Sequence, residues 1–162
     1  MGSGPTSVVM IDTLSHNPHN NRTKRTQLHP FTYAMSGEVV SEDKYNGALK
    51  NGMAHGSGEL KYADGRVYVG VFVEGKRCGP GSMEYSSGAT YDGEWENDRV
   101  HGKGTRKGIK FEYEGEWENG KMHGNGIEKY ADGDVYNGEW VNGEKSGKGT
   151  YKWSNGKEYK GE

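Results

Sequence analysis

Polar and apolar positions alternate along this chain with a period of two. In the stretch from Tyr113 to Glu118, Tyr113, Gly115 and Trp117 fall on one parity and Glu114, Glu116 and Glu118 on the other, which is the alternation of a strand with one dry and one wet face. A second run behaves likewise: Gly58, Leu60 and Tyr62, then Gly81, Met83 and Tyr85, then Gly149, Tyr151 and Trp153 each share a parity. Asn119-Gly120 and Asn142-Gly143 separate the two runs and Ala63-Asp64-Gly65 and Ala131-Asp132-Gly133 lead to the next; these residues accept a positive φ cheaply and suit tight turns. Each unit therefore reads as a β-hairpin. The unit recurs, with Tyr-x-Gly at Tyr45, Tyr68, Tyr91, Tyr113, Tyr136 and Tyr159, at intervals of 23, 23, 22, 23 and 23 residues. A fixed period of this size marks a repeat array. Short connections make successive strands antiparallel, so the expected fold is all-β: an elongated single-layer antiparallel meander of five to six hairpins. Eleven or twelve strands at about 4.8 Å each would span roughly 50 to 55 Å.

Composition changes what such a sheet can bury. Hydrophobic residues make up 30% of the chain, but there are 28 glycines, 11 tyrosines and 4 tryptophans, so the packed face must be built from rings lying against glycine backbone rather than from Leu, Ile and Val. The glycine between Tyr and Trp is expected to leave room for rings of neighbouring strands, and Gly115→Val to disrupt packing rather than chemistry. Net charge is -2 and the single cysteine is Cys78, which gives no overall attraction for nucleic acid or anionic membrane and no internal disulfide. No apolar run long enough for a signal peptide or a membrane span is present. A soluble cytoplasmic protein, with cytoskeletal or membrane association, is the expectation.

The array is read as residues 45–162. Residues 1–30 lack periodicity and are expected to form a flexible tail; residues 31–44, with "FTYAMSGEVV", read as a degenerate half-repeat capping the sheet edge. "YKGE" at 159–162 opens a further repeat, as in a fragment of a longer array. Met1-Gly2-Ser3-Gly4-Pro5-Thr6 fits the loose N-myristoylation pattern, which filler sequence matches as readily. Asn21-Arg22-Thr23 is a glycosylation sequon read as chance.

The unit resembles the MORN (membrane occupation and recognition nexus) repeat, close to Y-x-G-x-W-x-x-G-x-x-H-G-x-G. Tyr113, Gly115, Trp117, Gly120, His123, Gly124 and Gly126 match in order, and Tyr91, Gly93, Trp95, His101, Gly102 and Gly104 nearly do. The third repeat departs from the pattern: Asp98 replaces a turn glycine, the unit is one residue short, and Arg106 and Gly108 stand where the first repeat has Leu60 and Tyr62, so altered twist or curvature is expected there. Cys78 and Ser146 replace the histidine in repeats two and five, which argues against a catalytic histidine. The resemblance implies a scaffold or adaptor in cytoskeletal, motor or membrane-associated complexes. Its alternatives are a tether to phosphoinositides or other anionic phospholipids, and an accessory module of a larger enzyme such as a lipid kinase or lysine methyltransferase.

No residue pattern demands catalysis, a cofactor or a metal. His55, His101 and His123 share a repeat position, but adjacent repeats lie roughly 9 to 10 Å apart, too far for one tetrahedral ion; the imidazole is expected to support the turn before Gly-x-Gly. The glutamates of the wet face are expected to be solvated, and the stretch from Gly102 to Gly108 fits neither nucleotide-loop pattern. Binding remains. A single sheet has no second layer, so the rings of Tyr68, Phe72, Tyr91, Trp95, Tyr113, Trp117, Tyr136 and Trp140 are expected to line a groove for a protein partner, helix or extended peptide, or for self-association. Arg99, Lys103, Arg106, Lys107 and Lys110 form the candidate patch for an anionic lipid or acidic peptide, to which Arg22-Thr23-Lys24-Arg25 could add.

Overall fold

The computed structural model describes residues 42–162; the tail, most of the cap segment, the acylation pattern, the sequon and the Arg22–Arg25 cluster lie outside them. Among the described residues the chain forms eleven strands: β1 (Lys44–Lys50), β2 (Met53–Lys61), β3 (Val67–Val73), β4 (Lys76–Glu84), β5 (Thr90–Glu96), β6 (Arg99–Lys107), β7 (Phe111–Glu118), β8 (Lys121–Tyr130), β9 (Val135–Val141), β10 (Glu144–Lys152) and β11 (Glu158–Gly161). They pair in sequence order as one antiparallel sheet, the meander expected of hairpins joined by short turns.

Turn chemistry explains the pairing. Within each hairpin the two central residues both have positive φ: Asn51 (51°) and Gly52 (77°), Glu74 (50°) and Gly75 (83°), Asn97 (49°) and Asp98 (68°), Asn119 (51°) and Gly120 (87°), Asn142 (55°) and Gly143 (90°). This is the type I′ geometry whose twist matches paired strands. Four of the five returns share a second turn, in which Tyr62, Tyr85, Tyr130 and Trp153 donate N–H to the carbonyls of Arg66, Ala89, Asp134 and Lys157. The third return is shorter and closes instead from Gly108 N–H to the Phe111 carbonyl. The missing residue of repeat three is therefore absorbed in the loop, and the strand register passes through it unbroken: Arg106 lies opposite Tyr91 and Tyr113 as Leu60 lies opposite Tyr45 and Tyr68.

One glycine from every strand stands in a single line across the sheet, Gly47, Gly58, Gly70, Gly81, Gly93, Gly104, Gly115, Gly126, Gly138, Gly149 and Gly161, each opposite the next. Beside this line each hairpin is irregular. Gly115 faces Gly126 and Glu116 faces His123, so β8 takes three steps where β7 takes one; the two additional residues include Gly124, at φ 57°. Because the excess is two, side chains keep their faces on both sides of the bulge. The histidine thus marks a bulge and not the hairpin turn. His101 and His123 point their Nδ1 atoms toward Glu96 (3.6 Å) and Glu118 (3.4 Å) on the wet face.

Candidate functional site

The bulge exposes a backbone carbonyl, and the repeat tyrosine fills that need. Tyr45, Tyr68, Tyr91, Tyr113 and Tyr136 each lie along their own strand and donate a hydroxyl hydrogen bond to the carbonyl three residues on, those of Ala48, Val71, Glu94, Glu116 and Glu139, at 3.0 to 3.2 Å. To do so the ring crosses two glycines of the line, its own and the one opposite: a Cβ on Gly115 or Gly126 would sit 2.5 or 2.3 Å from the Tyr113 hydroxyl. The space is therefore needed by the ring of the same hairpin, not by a neighbour's ring. Neighbours supply the lid. Trp95 stands edge-on to Tyr68, Trp117 to Tyr91 and Trp140 to Tyr113, at centroid distances of 5.2 to 5.4 Å, favourable for opposed quadrupoles. Their indole N–H groups bond the carbonyls of Gly81, Gly104 and Gly126.

This packing overturns the expected groove. Tyr68, Phe72, Tyr91, Trp95, Tyr113, Trp117, Tyr136 and Trp140 are between 0 and 7% exposed; laid flat over glycine, the rings bury one another without a second layer. They form the core, and burial pushes the phenols of Tyr68 and Tyr113 up to about 12. A partner cannot reach them while the array is folded.

The basic set does not come together either. Arg99, Lys103 and Lys107 sit opposite Glu96, Glu116 and Glu112 on the wet face, with Lys107 3.7 Å from Glu112. Lys110 lies in the β6–β7 loop. Arg106 points the other way, opposite the tyrosines, because alternation sends it through the sheet. Sequence spacing alone had gathered residues that the pleat separates.

What the tyrosine face leaves within reach of solvent lies toward the returns and at some even-strand positions, since Met83 and Glu128 are themselves buried. Opposite the tyrosines stand Leu60, Met83, Arg106, Glu128 and Tyr151, and toward the returns lie the half-buried rings of Tyr62, Tyr85 and Phe111. The even strands put three cations on this face. Arg77 is fully engaged: its Nε donates to Asp98 Oδ1 at 3.0 Å, Nη2 to the Asp98 carbonyl at 2.8 Å, and its guanidinium lies 4.5 Å from the Trp95 ring. This pairing occupies the Asp98 that replaces a turn glycine.

Lys145 is engaged too. Its Nζ lies 3.4 Å from the Glu128 carboxylate and within 4.8 to 5.7 Å of the rings of Tyr130, Tyr136, Trp140 and Tyr151. Tyr130 donates its hydroxyl to Glu128 and accepts from Lys145; burial, then that carboxylate, raises its phenol. Glu128, 8% exposed, is thus compensated from two sides. Tyr151, whose hydroxyl donates to Asp134 at 2.7 Å, is pushed up to about 12 by that bond.

Arg106 differs from both. Its guanidinium carbon lies 5.8 Å from the Tyr85 ring and 5.9 Å from the Phe111 ring. Its buried Nε has no acceptor among the described residues. Two further surfaces escaped the sequence reading. Val69 and Val73 are 50% and 44% exposed on the wet face of β3, where β5 and β7 carry acids; their signal was an apolar residue on both parities of "VYVGVFV". An open hollow of about 370 Å³ lies beside Tyr136, Lys145, Tyr151, Trp153 and Tyr159. Among the described residues no group of three or more His, Cys, Asp or Glu side chains is placed to hold a metal ion.

The repeat geometry has a counterpart among known proteins. The family model described as MORN repeat matches five times, over residues 45–65, 68–90, 91–109, 113–135 and 136–158. A comparison with curated proteins returned no match. Each matched unit coincides with a hairpin built as described, a tyrosine laid over paired glycines ahead of a glycine-bearing bulge, and the chain belongs to the MORN repeat family.

Proposed function

We propose that the protein is a non-catalytic scaffold that holds a protein partner on the tyrosine face beside its returns, along the line of Tyr62, Tyr85 and Phe111. The observation that supports this reading is a division of labour among the rings. Nine aromatic residues of the odd strands, Tyr45 among them, are consumed by the core, whereas Tyr62, Tyr85 and Phe111, bordering the returns, are only half-buried against it. Aromatic side chains that are held in place and still accessible are what interface centres use. A helix or extended segment laid across successive hairpins would meet one such ring per repeat. Attachment to anionic phospholipid is the weaker reading, since the basic residues it needs are divided between two faces and three of them lie opposite glutamates.

The test is selection of peptides from a random display library on immobilised protein. Replacement of Tyr85 and Phe111 together by serine should reduce retention of the selected peptides by at least roughly tenfold, as expected on losing about 1.4 kcal/mol or more, while β-sheet circular dichroism is kept. Equal retention by the double variant would remove this surface from consideration.

A further inference from the structure

Resting on that reading, we propose that the shelf formed by Tyr85, Arg106 and Phe111 is a docking site for a carboxylate side chain of the partner, an Asp or Glu flanked by an apolar residue.

The even strands place three cations, Arg77, Arg106 and Lys145, on the tyrosine face. Arg77 is paired with Asp98 and Lys145 with Glu128. Among the described residues no carboxylate pairs with Arg106, and its Nε is a buried donor left without an acceptor. A buried donor without a partner carries a desolvation cost, and the charge of this half-buried side chain is left without a counter-charge. The position has no structural need for a charge. Leu60 and Met83 occupy it in repeats one and two, so an apolar side chain fills the same place in the same register.

The surroundings select the occupant. Tyr85 and Phe111 border the guanidinium, so a carboxylate approaching it is partly shielded from water, where a charge-assisted, two-pronged contact is strongest. Both rings also offer apolar surface to the residue beside that carboxylate. A phosphorylated headgroup or an anionic bilayer would ask for several cations on one face. Here Arg99, Lys103 and Lys107 lie on the opposite face, among Glu96, Glu112 and Glu116, and Glu128 stands two strands from Arg106 on the same face. One cation between two rings matches one carboxylate in a peptide.

The experiment uses the full chain, a random dodecapeptide display library, and vesicles of phosphatidylcholine with 20% phosphatidylserine as the membrane probe. Arg106→Met is the central variant, chosen because Met83 shows that methionine suits the position; thermal melting checks that it folds as the parent does. The expected result is enrichment of Asp or Glu next to an apolar residue. Affinity for those peptides should fall about tenfold in Arg106→Met and partly return in Arg106→Lys, and replacing the peptide's acid by its amide should cost as much on the parent protein and nothing on Arg106→Met. Three results would overturn the proposal. Peptides that need Tyr85 and Phe111 but show no acidic preference, or bind Arg106→Met equally well, would remove the carboxylate and leave the proposed scaffold standing. Peptides indifferent to Tyr85 and Phe111 would remove both. Vesicle binding that depends on Arg106, with no peptide retained, would assign the shelf to lipid instead.

Discussion

The odd and even strands of this sheet obey different rules. Along the row that crosses the hairpins beside the glycine line, every odd strand contributes a tyrosine: Tyr45, Tyr68, Tyr91, Tyr113, Tyr136 and Tyr159. The even strands between them contribute Leu60, Met83, Arg106, Glu128 and Tyr151, with no residue used twice. A tyrosine has three constraints on it at once: its ring must cover two glycines, its hydroxyl must reach the bulge carbonyl, and its edge must meet the rings beside it. Its even-strand neighbour need only lie beside that ring. Where geometry demands little, charge and size are free to vary, and that freedom is where one repeat differs from the next.

If this contrast is right, damage to the glycine line should cost most. A Cβ on Gly115 would lie 2.5 Å from the Tyr113 hydroxyl, 2.6 Å from the Gly126 Cα and 2.7 Å from the Asn125 carbonyl oxygen. Two of these atoms are backbone and cannot rotate away, so Gly115→Val should destabilise by about 3 kcal/mol or more, the upper end of overpacking costs, measured by urea unfolding. An even-strand change expected to matter is Lys145→Ala, which strips the buried Glu128 of its cation. It should cost about 1 to 3 kcal/mol, kept below the cost of breaking a fully buried pair because the Lys145 side chain is 35% exposed. Adding Glu128→Leu should recover most of that loss; no recovery would mean that Lys145 acts through its stem alone.

Alkali tests the odd strands as a set. Burial raises the Tyr68 and Tyr113 phenols from 10.0 to about 12 and shifts Tyr45, Tyr91 and Tyr136 the same way. A raised folded-state value means that the unfolded chain loses its protons first, so stability is unaffected below pH 10, falls between pH 10 and 12, and is lost as the folded groups ionise. Sheet ellipticity and tyrosinate absorbance should therefore change together above pH 10. Ionisation of all the tyrosines well before the sheet signal falls would contradict the buried row. The smallest effects belong to the replaceable positions. Arg106→Met should leave stability within about 1 kcal/mol of the parent, since it removes a buried donor that had no acceptor. Asp98→Gly should also be nearly neutral, because relief of about 1 kcal/mol of left-handed strain is offset by loss of the hydrogen bonds to Arg77.

The hairpins, their turns and the all-β meander could be read from period and turn chemistry because those are local properties. The fate of the rings could not. Whether Tyr113 covers its own glycine or faces a partner depends on which residue of β8 lies opposite Gly115, and that follows from a two-residue bulge that leaves alternation undisturbed on either side. The basic cluster failed for a simpler reason. Arg106 and Lys107 are adjacent in the chain, and in a strand adjacency guarantees opposite faces. The unshared Arg106 had no sequence signal at all, since only the register reveals that Asp98 and Glu128 are already taken by Arg77 and Lys145.

The hydrogen bonds that turn amides and indoles make between hairpins share one sense. The turn amides of Gly75, Asp98, Gly120 and Gly143 donate to Ala54, Arg77, Val100 and Met122 of the hairpin before, and the indoles of Trp95, Trp117 and Trp140 also donate backward. The array therefore has a heading, like a row of tiles each lapped over the last. A hairpin set in reverse would turn these donors away from their acceptors, whereas one set in the same sense keeps them and loses only the pairs, Arg77 with Asp98 and Lys145 with Glu128, that belong to particular neighbours.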